Sequence, residues 1–220
     1  MECKQCKSLC IKKGFQKNRK QKFYCKNCSL YQQQNYVYIA CKTSLKSDII
    51  KMVKRSCGIR DIAHIKGVST TTVIKEIRSI AGEITSPANF PFHSDYEMDE
   101  MYTCIWVDNR KNGVYIAYAI NKKNKSVVDF TVGRRDSKTL SKTIGKILLN
   151  YPKSIRTDKW CSYAAIIPED IHIKSRRKIN QIERKNYTMR TQLKRLGHNP
   201  ICQSKKKDML IACLKIYFWG

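Results

Sequence analysis

Two sets of residues in this chain have the types and spacing for metal chemistry. The first is a pair of CxxC turns, Cys3/Cys6 in CKQC and Cys25/Cys28 in CKNC, with eighteen residues between them. Each turn offers two sulfurs to one ion with little strain, and two turns together supply the four thiolates of a tetrahedral Zn2+ site. The second is a set of carboxylates made conspicuous by their scarcity. The stretch RRKINQIERKNYTMRTQLKRL, residues 176–196, holds eight lysines and arginines and one acid, Glu183, beyond which the chain has only Asp208. Asp158 ends SIRTD, and Asp99 lies in EMDE with Glu97 and Glu100 as rivals on the same segment. A hard cation such as Mg2+ (or Mn2+) needs oxygen ligands of this kind. Two such ions activate an attacking hydroxyl and stabilise the leaving oxygen of an in-line phosphoryl displacement. Taken singly, each acid is an ordinary solvated charge, and Glu183 a stray acid on a surface helix. The chemistry depends on whether the fold gathers them.

The elements that must do so follow in order. Residues 1–42 form a zinc ribbon, too short and polar to build a core without metal; Cys10 and Cys41 break the spacing and are spectators. Residues 43–84 predict a helix-turn-helix. A first helix spans about 46–56 and is ended by Gly58, and a second spans 59–65. A KGVS turn follows, and then a helix TTTVIKEIRSIAG capped by Ser69 and closed by Gly82. In such units the last helix reads the major groove, which nominates Thr70, Thr71, Thr72, Lys75 and Arg78. A generic three-helix packing unit is the plainer alternative.

Residues 85–96 read as a linker, and 97–220 as a separate α/β unit. Strands are expected at 97–107, 114–120 and 125–133, with NRKNG as a hairpin turn. A helix runs from the Asp136/Ser137 cap to Pro152, and short strands fall at 154–158 and 171–175. Three antiparallel strands, a helix, then a strand ending in an acid is the order of the ribonuclease H-like fold. The fold class is therefore multi-domain α+β: ribbon, helix-turn-helix and a ribonuclease H-like catalytic unit. That order nominates Asp99, Asp158 and Glu183 as the cation ligands. Pleating puts Glu97 on the face of Asp99 and Glu100 on the other. On a helix Glu183, Tyr187, Arg190 and Lys194 share one side, beside an apolar stripe of Ile182, Met189, Leu193 and Leu196.

Composition narrows the partner. Forty-four basic against seventeen acidic residues give a formal charge of +27, a self-repulsion that a polyanion relieves, so DNA or RNA leads. From residue 171 onward thirteen basic and two acidic residues form a candidate DNA track. MECKQCKSLC lacks a signal-peptide core and no apolar run approaches membrane length, so a cytoplasmic, nucleoid-associated protein with reduced thiols is expected. The four histidines show no ligand spacing, and Trp106, Trp160 and Trp219 read as packing residues.

At these motifs the chain resembles the transposases of the insertion sequence IS-one family, nearly end to end. The likeness is carried by RKQKFYCKNC, GIRDIAHIKGVSTTTVIKEI, EMDE, TDKWCSY, NQIERKNYTMRTQLKRLGHNP and CQSKKKDML, and QIER to KRLG is its most specific part. It implies an N-terminal portion that binds the element's ends and a DDE-type catalytic portion with Asp99, Asp158 and Glu183 as its triad. Such enzymes free 3′ hydroxyls at the ends of double-stranded element DNA and join them to target DNA, without a covalent protein intermediate. Arg190, seven residues past Glu183, takes the basic position used against DNA, and pairing two ends implies a homo-oligomer. One departure is Lys159, where family members commonly have Gly. Both portions lie in one continuous chain, so a shorter regulatory form is not implied. Two other readings stay open: a non-catalytic DNA-binding regulator or inactive remnant, and a nuclease or resolvase on the same fold.

Overall fold

A short antiparallel sheet holds the two CxxC turns together: β1 (Ile11–Phe15), β2 (Gln21–Tyr24) and β3 (Tyr31–Gln33). Period-two alternation sends Phe23 and its partner Gln32 inward, where both are buried. Tyr24 and its partner Tyr31 go to the opposite face. The computed structural model describes residues 1–17, 19–34, 44–87, 92–107, 110–175, 179–197 and 203–220. Cys41, the 42/43 boundary, the middle of the 85–96 linker, Arg176–Lys178 and His198 lie outside the described residues.

Three helices follow: α1 (Ser44–Lys54), α2 (Ile59–Lys66) and α3 (Thr70–Glu83). Leu45, Ile49 and Val53 at intervals of four bury one stripe of α1. Gly67 takes the left-handed conformation that ends α2, and the Ser69 hydroxyl accepts the Thr72 N–H to start α3. Two expected glycine stops are corrected. Gly58 does not end α1; its N–H donates to Asp61 and it opens α2, while α1 stops at Lys54 before Ser56 at positive φ. Gly82 lies inside α3, because the backbone bonds run on and Ile84 still donates to Ile80.

The second sheet has the order β6-β5-β4-β7-β8. Strand β4 (Asp95–Val107) pairs antiparallel with β5 (Arg110–Asn121), and β5 pairs with β6 (Val127–Gly133). The hairpin corrects the expected NRKNG turn: Arg110 to Gly113 already pair with Val107 to Cys104, because the ladder extends to the tip. Asp95 and Tyr96, at the end of the expected linker, likewise belong to β4. After α4 (Ser137–Leu148), capped by Asp136 on the Thr139 N–H, β7 (Ser154–Thr157) returns parallel to β4. The short α5 (Cys161–Ala164) leads to β8 (His172–Lys174), also parallel.

Apolar residues cover both faces of this sheet. On one, Tyr96, Met98, Ala117 and Ala119 pack against Leu140, Ile144 and Ile147 of α4. On the other, Met101, Ile116 and Tyr118 pack against α6 (Asn180–Gln192) through Ile182 and Met189, with Leu193 and Leu196 just beyond it. The expected apolar stripe is therefore buried as read. Lys194, however, follows the end of α6 in a tighter 3-10 turn, so it does not continue the helical face of Glu183.

The last helix, α7 (Lys207–Trp219), is apolar almost all round because it is buried on two sides. Met209, Ala212, Cys213 and Ile216 complete the core of α1–α3, while Leu210 and Leu214 belong to the sheet core with α6. No helix of the described residues is long and apolar enough to cross a membrane.

This dual burial has a measurable consequence. Ile216→Ala, at a fully buried position, should cost about 2–5 kcal/mol by denaturant melting. It should also speed amide hydrogen exchange in α1 and α3, more than a hundred residues away in sequence. Exchange accelerated in α7 alone would show that the three helices hold their core without it.

Candidate functional site

The four cysteines of the first sheet converge. Cys3 Sγ lies 3.4 Å from Cys28 Sγ, Cys6 Sγ 3.4 Å from Cys25 Sγ and 3.7 Å from Cys28 Sγ. Four Zn–S bonds of about 2.3 Å in a tetrahedron set sulfurs about 3.8 Å apart, so this donor set fits one zinc ion. The backbone prepares it: the Cys6 N–H, followed by the Gln5 N–H and neighbouring side chains, lowers the Cys3 thiol to about 5. Gln32, buried beneath, donates to Cys3 Sγ at 2.8 Å and accepts the Lys4 N–H at 2.9 Å. Sequence reading gave Gln32 no role. Cys10 sits nearby but is not one of the four, and burial and the charges of Cys25 and Cys3 raise its thiol.

The carboxylates gather at the junction of β4 and β7. These strands are parallel, with Glu97 opposite Arg156 as the last pair of their register, and Asp158 follows directly on the end of β7 at Thr157. Ligand oxygens of Asp99, Glu100 and Asp158 all lie within 4.8 Å of one another. Asp158 is held by an Asx turn in which Oδ1 accepts the Trp160 N–H at 2.9 Å. Lys159, between them, is exposed.

The third acid of this cluster is thus Glu100 rather than Glu183. Glu100 points to the α4 side, as pleating predicts, where Tyr163 of α5 donates to Oε2 at 2.7 Å and Arg135 Nε stands 3.8 Å from Oε1. Arg135 also lies over the Trp160 ring at 4.5 Å. Glu97 shares the Asp99 face but is not one of the clustered acids: it is buried and accepts the N–H groups of Gln181 and Ile182. Glu183 is exposed on the first turn of α6, close enough for its charge to raise the Asp99 carboxyl. On the next turn Asn186 donates to Asp99 Oδ2 at 2.7 Å and accepts from the Tyr118 hydroxyl at 2.8 Å. Asn186 was invisible to a search for acids and bases; its spacing of three from Glu183 was the available signal.

Burial dominates the electrostatics. It raises Asp99 to about 6, against the opposing Glu100 N–H, with the charge of Asp158 adding to the rise. It raises Glu100 to about 7, against the Tyr163 hydroxyl, with Asp99 and Asp158 again adding. Such a cluster is short of positive charge, and its oxygen donors are of the kind a hard divalent cation takes.

The nominated DNA contacts divide. Thr70, Thr71 and Lys75 are exposed at the start of α3, and Thr72 is half-buried with Oγ1 2.8 Å from Ser69 Oγ. Arg78 is already paired with Asp208 of α7 at 2.8 Å. Arg190 and Lys194 are exposed.

Comparison with known proteins adds the following. A family model described as IS1 transposase matches residues 95–217. The insertion element iso-IS1n protein InsB of Shigella dysenteriae is 29% identical over 113 residues, 51% of this chain and 85% of that protein. The insertion element IS1 protein InsB of Shigella sonnei is 30% identical over 114 residues, again 51% and 85%. An insertion element IS1 protein InsB of Escherichia coli K12 is 30% identical over 114 residues, 51% of this chain and 66% of that protein. Among solved structures, a simian T-cell lymphotropic virus intasome complexed with PP2A regulatory subunit B56 gamma aligns over 65% of this chain and 59% of its own. Its TM-score of 0.34 and 16% identity are too low to bear on the fold.

The two raised carboxylates carry a pH dependence of definite sign. Unfolded Asp and Glu titrate near about 4, below the folded values of about 6 and about 7. The folded state therefore holds extra protons in that window, and the stability they lend at low pH is lost as pH rises through it. Metal-free protein should lose melting temperature from about pH 4 to pH 7 relative to Glu100→Gln. Parallel melting curves for the two proteins would contradict the assignment.

Proposed function

Because this chain belongs to the IS1 transposase family, we propose that it is a DDE-type DNA transposase. It binds the inverted-repeat ends of an insertion sequence and carries out divalent-metal-dependent cleavage and strand transfer. The observation that carries the reading is the approach of Asp99 and Asp158 to within 4.8 Å where β4 meets the end of β7, with Glu183 on the first turn of α6. The sheet order, three antiparallel strands followed by two parallel ones, supports a ribonuclease H-like catalytic unit.

Asp99, Asp158 and Glu183 are the ligands, with Glu100 as an additional oxygen donor in the pocket. A bound Mg2+ or Mn2+ supplies charge neutralisation and activation of the attacking oxygen in phosphoryl transfer. The protein's part is to hold carboxylate oxygens in place and to carry DNA to them. Arg190 and Lys194, both exposed beyond Glu183, contact phosphate, as does Arg135 on the other rim.

The N-terminal region is the DNA-end reader. Thr70, Thr71, Thr72 and Lys75 stand where a helix-turn-helix meets base edges. Arg78 reaches DNA only by exchanging Asp208 for phosphate, so its contribution is smaller. The ribbon adds a face of its own: the Tyr24 and Tyr31 rings lie 4.8 Å apart, with Lys22 Nζ 3.9 Å from the Tyr31 ring and Lys13 Nζ 5.8 Å from the Tyr24 ring. Mixed cation and aromatic surface of this kind suits a nucleic-acid backbone and its bases. One structural zinc on Cys3, Cys6, Cys25 and Cys28 holds that face. The protein acts in the cytoplasm, at the nucleoid, as a homo-oligomer that brings two ends together.

Asp158→Asn should abolish cleavage and joining of element-end DNA, a loss of at least about 100-fold, while end binding in a mobility-shift assay persists. Retained cleavage would remove the catalytic assignment. Binding by the wild-type chain with no metal-dependent cleavage would favour a regulator instead. Elemental analysis should find one zinc per chain, falling to a small fraction in Cys25→Ser with loss of ribbon order; a zinc-free wild type with an ordered ribbon would exclude the site.

A further inference from the structure

The helix carrying Glu183 has no cap of its own. Ile179 precedes it and makes no side-chain hydrogen bond to the first turn, which leaves N–H groups there without helical partners. The carboxylate of Glu97 fills that role from another element. Its Oε2 accepts the Gln181 N–H at 3.1 Å and the Ile182 N–H at 3.0 Å, across 84 and 85 residues of sequence. A carboxylate at a helix N-terminus also meets the positive end of the dipole. Glu97 is 1% exposed, so water does not compete for these bonds.

One turn along the same helix a second tie runs in the same sense, from a helix donor to a strand carboxylate. Asn186 donates to Asp99 Oδ2 at 2.7 Å, and its own carbonyl oxygen accepts from the Tyr118 hydroxyl at 2.8 Å. The hydroxyl thereby dictates which end of the amide faces Asp99. Glu97 and Asp99 are two residues apart on β4 and point to the same face, while Ile182 and Asn186 are four apart on α6 and point back at them. Glu183 lies between the two ties.

We propose that Glu97 and Asn186 are positioning residues that clamp α6 to β4 at two points and so set the position and pitch of the Glu183 carboxylate relative to Asp99. Glu97 is then not a cation ligand, although it stands in the same acidic motif. Its oxygen is committed to backbone amides, and its work is transmitted through the helix. The inference rests on the catalytic reading above for its purpose, but the clamp itself is testable without catalysis.

The conservative variant separates the roles. Glu97→Gln keeps a carbonyl oxygen able to accept both N–H groups but is a poor ligand for a hard cation; Glu97→Leu removes the acceptor altogether. In the full chain, amide exchange at Gln181 and Ile182 should accelerate by about tenfold or more in Glu97→Leu and stay near wild type in Glu97→Gln. Mn2+ affinity, read by electron paramagnetic resonance, and cleavage of element-end DNA should fall roughly 10- to 100-fold in Glu97→Leu and in Asn186→Ala. Both should stay within about threefold in Glu97→Gln, with DNA-end binding unchanged in all three. Tyr118→Phe, which frees the amide of Asn186 to turn over, should give an intermediate loss of Mn2+ affinity. Should Glu97→Gln lose Mn2+ as completely as Asp99→Asn, Glu97 is a ligand and the proposal fails. It fails equally if Glu97→Leu leaves exchange at 181 and 182 unchanged. A wild-type chain without cleavage activity would count against the transposase reading, while the exchange and Mn2+ arms still decide the clamp.

Discussion

Strand β4 carries three carboxylates within four residues in the middle of a sheet buried on both faces, and this constraint organises the chemistry around it. A buried carboxylate without a partner is very costly, so each needs its own compensation, and each has a different kind. Glu97 takes two helix N–H groups. Asp99 takes a side-chain amide and the N–H of its neighbour. Glu100 takes a phenol and a distant guanidinium. The three solutions leave unequal residues of negative charge. Glu97 has its two N–H partners, whereas Asp99 and Glu100 are pushed towards neutrality by burial and by the neighbouring charge of Asp158, Glu100 by that of Asp99 as well. The partnering pattern therefore separates the acid that builds from the acids that are free to bind a cation.

The partners come from everywhere in the chain: α6 for Glu97 and Asp99, α5 and the loop before α4 for Glu100. The pocket is thus a product of the whole sheet with its covering helices. The same economy appears in α7, whose two faces close two cores at once. The helices α1–α3 and the acid-bearing sheet consequently share one apolar element, and Arg78–Asp208 and the Lys194 N–H to Ser56 Oγ bond add polar ties across the same junction. A chain with a net charge of +27 gains from such joints, because self-repulsion works against a loose arrangement until a polyanion is bound.

Much of the fold was legible because local rules were obeyed. Alternation and β-branched residues marked the strands within 97–133, and spacing of three and four marked α1, α4 and the buried stripe Ile182, Met189, Leu193 and Leu196. Ser69 and Asp136 announced their helices. The misreadings came where local signals are ambiguous. Gly58 and Gly82 were taken for stops, though glycine equally opens a helix or sits inside one at modest cost. NRKNG looked like a turn, but its residues Arg110–Gly113 are already paired in the ladder. Lys194 was placed on a helical face that had already ended.

What the sequence determined by itself was the inventory and its order: two thiolate pairs at ribbon spacing, three helices with a tight turn, and rare acids spaced along a basic chain. Residue type and short-range periodicity suffice for that, since each depends on neighbours a few positions away. Tertiary structure alone decided which acid faces which partner. Glu97 and Asp99 are the same charge two residues apart on one face, and nothing within EMDE distinguishes a helix cap from a candidate ligand. The distinction arises from where Gln181, Ile182 and Asn186 come to rest, more than eighty residues later, and from the junction of β4 with the end of β7, which brings Asp158 beside Asp99.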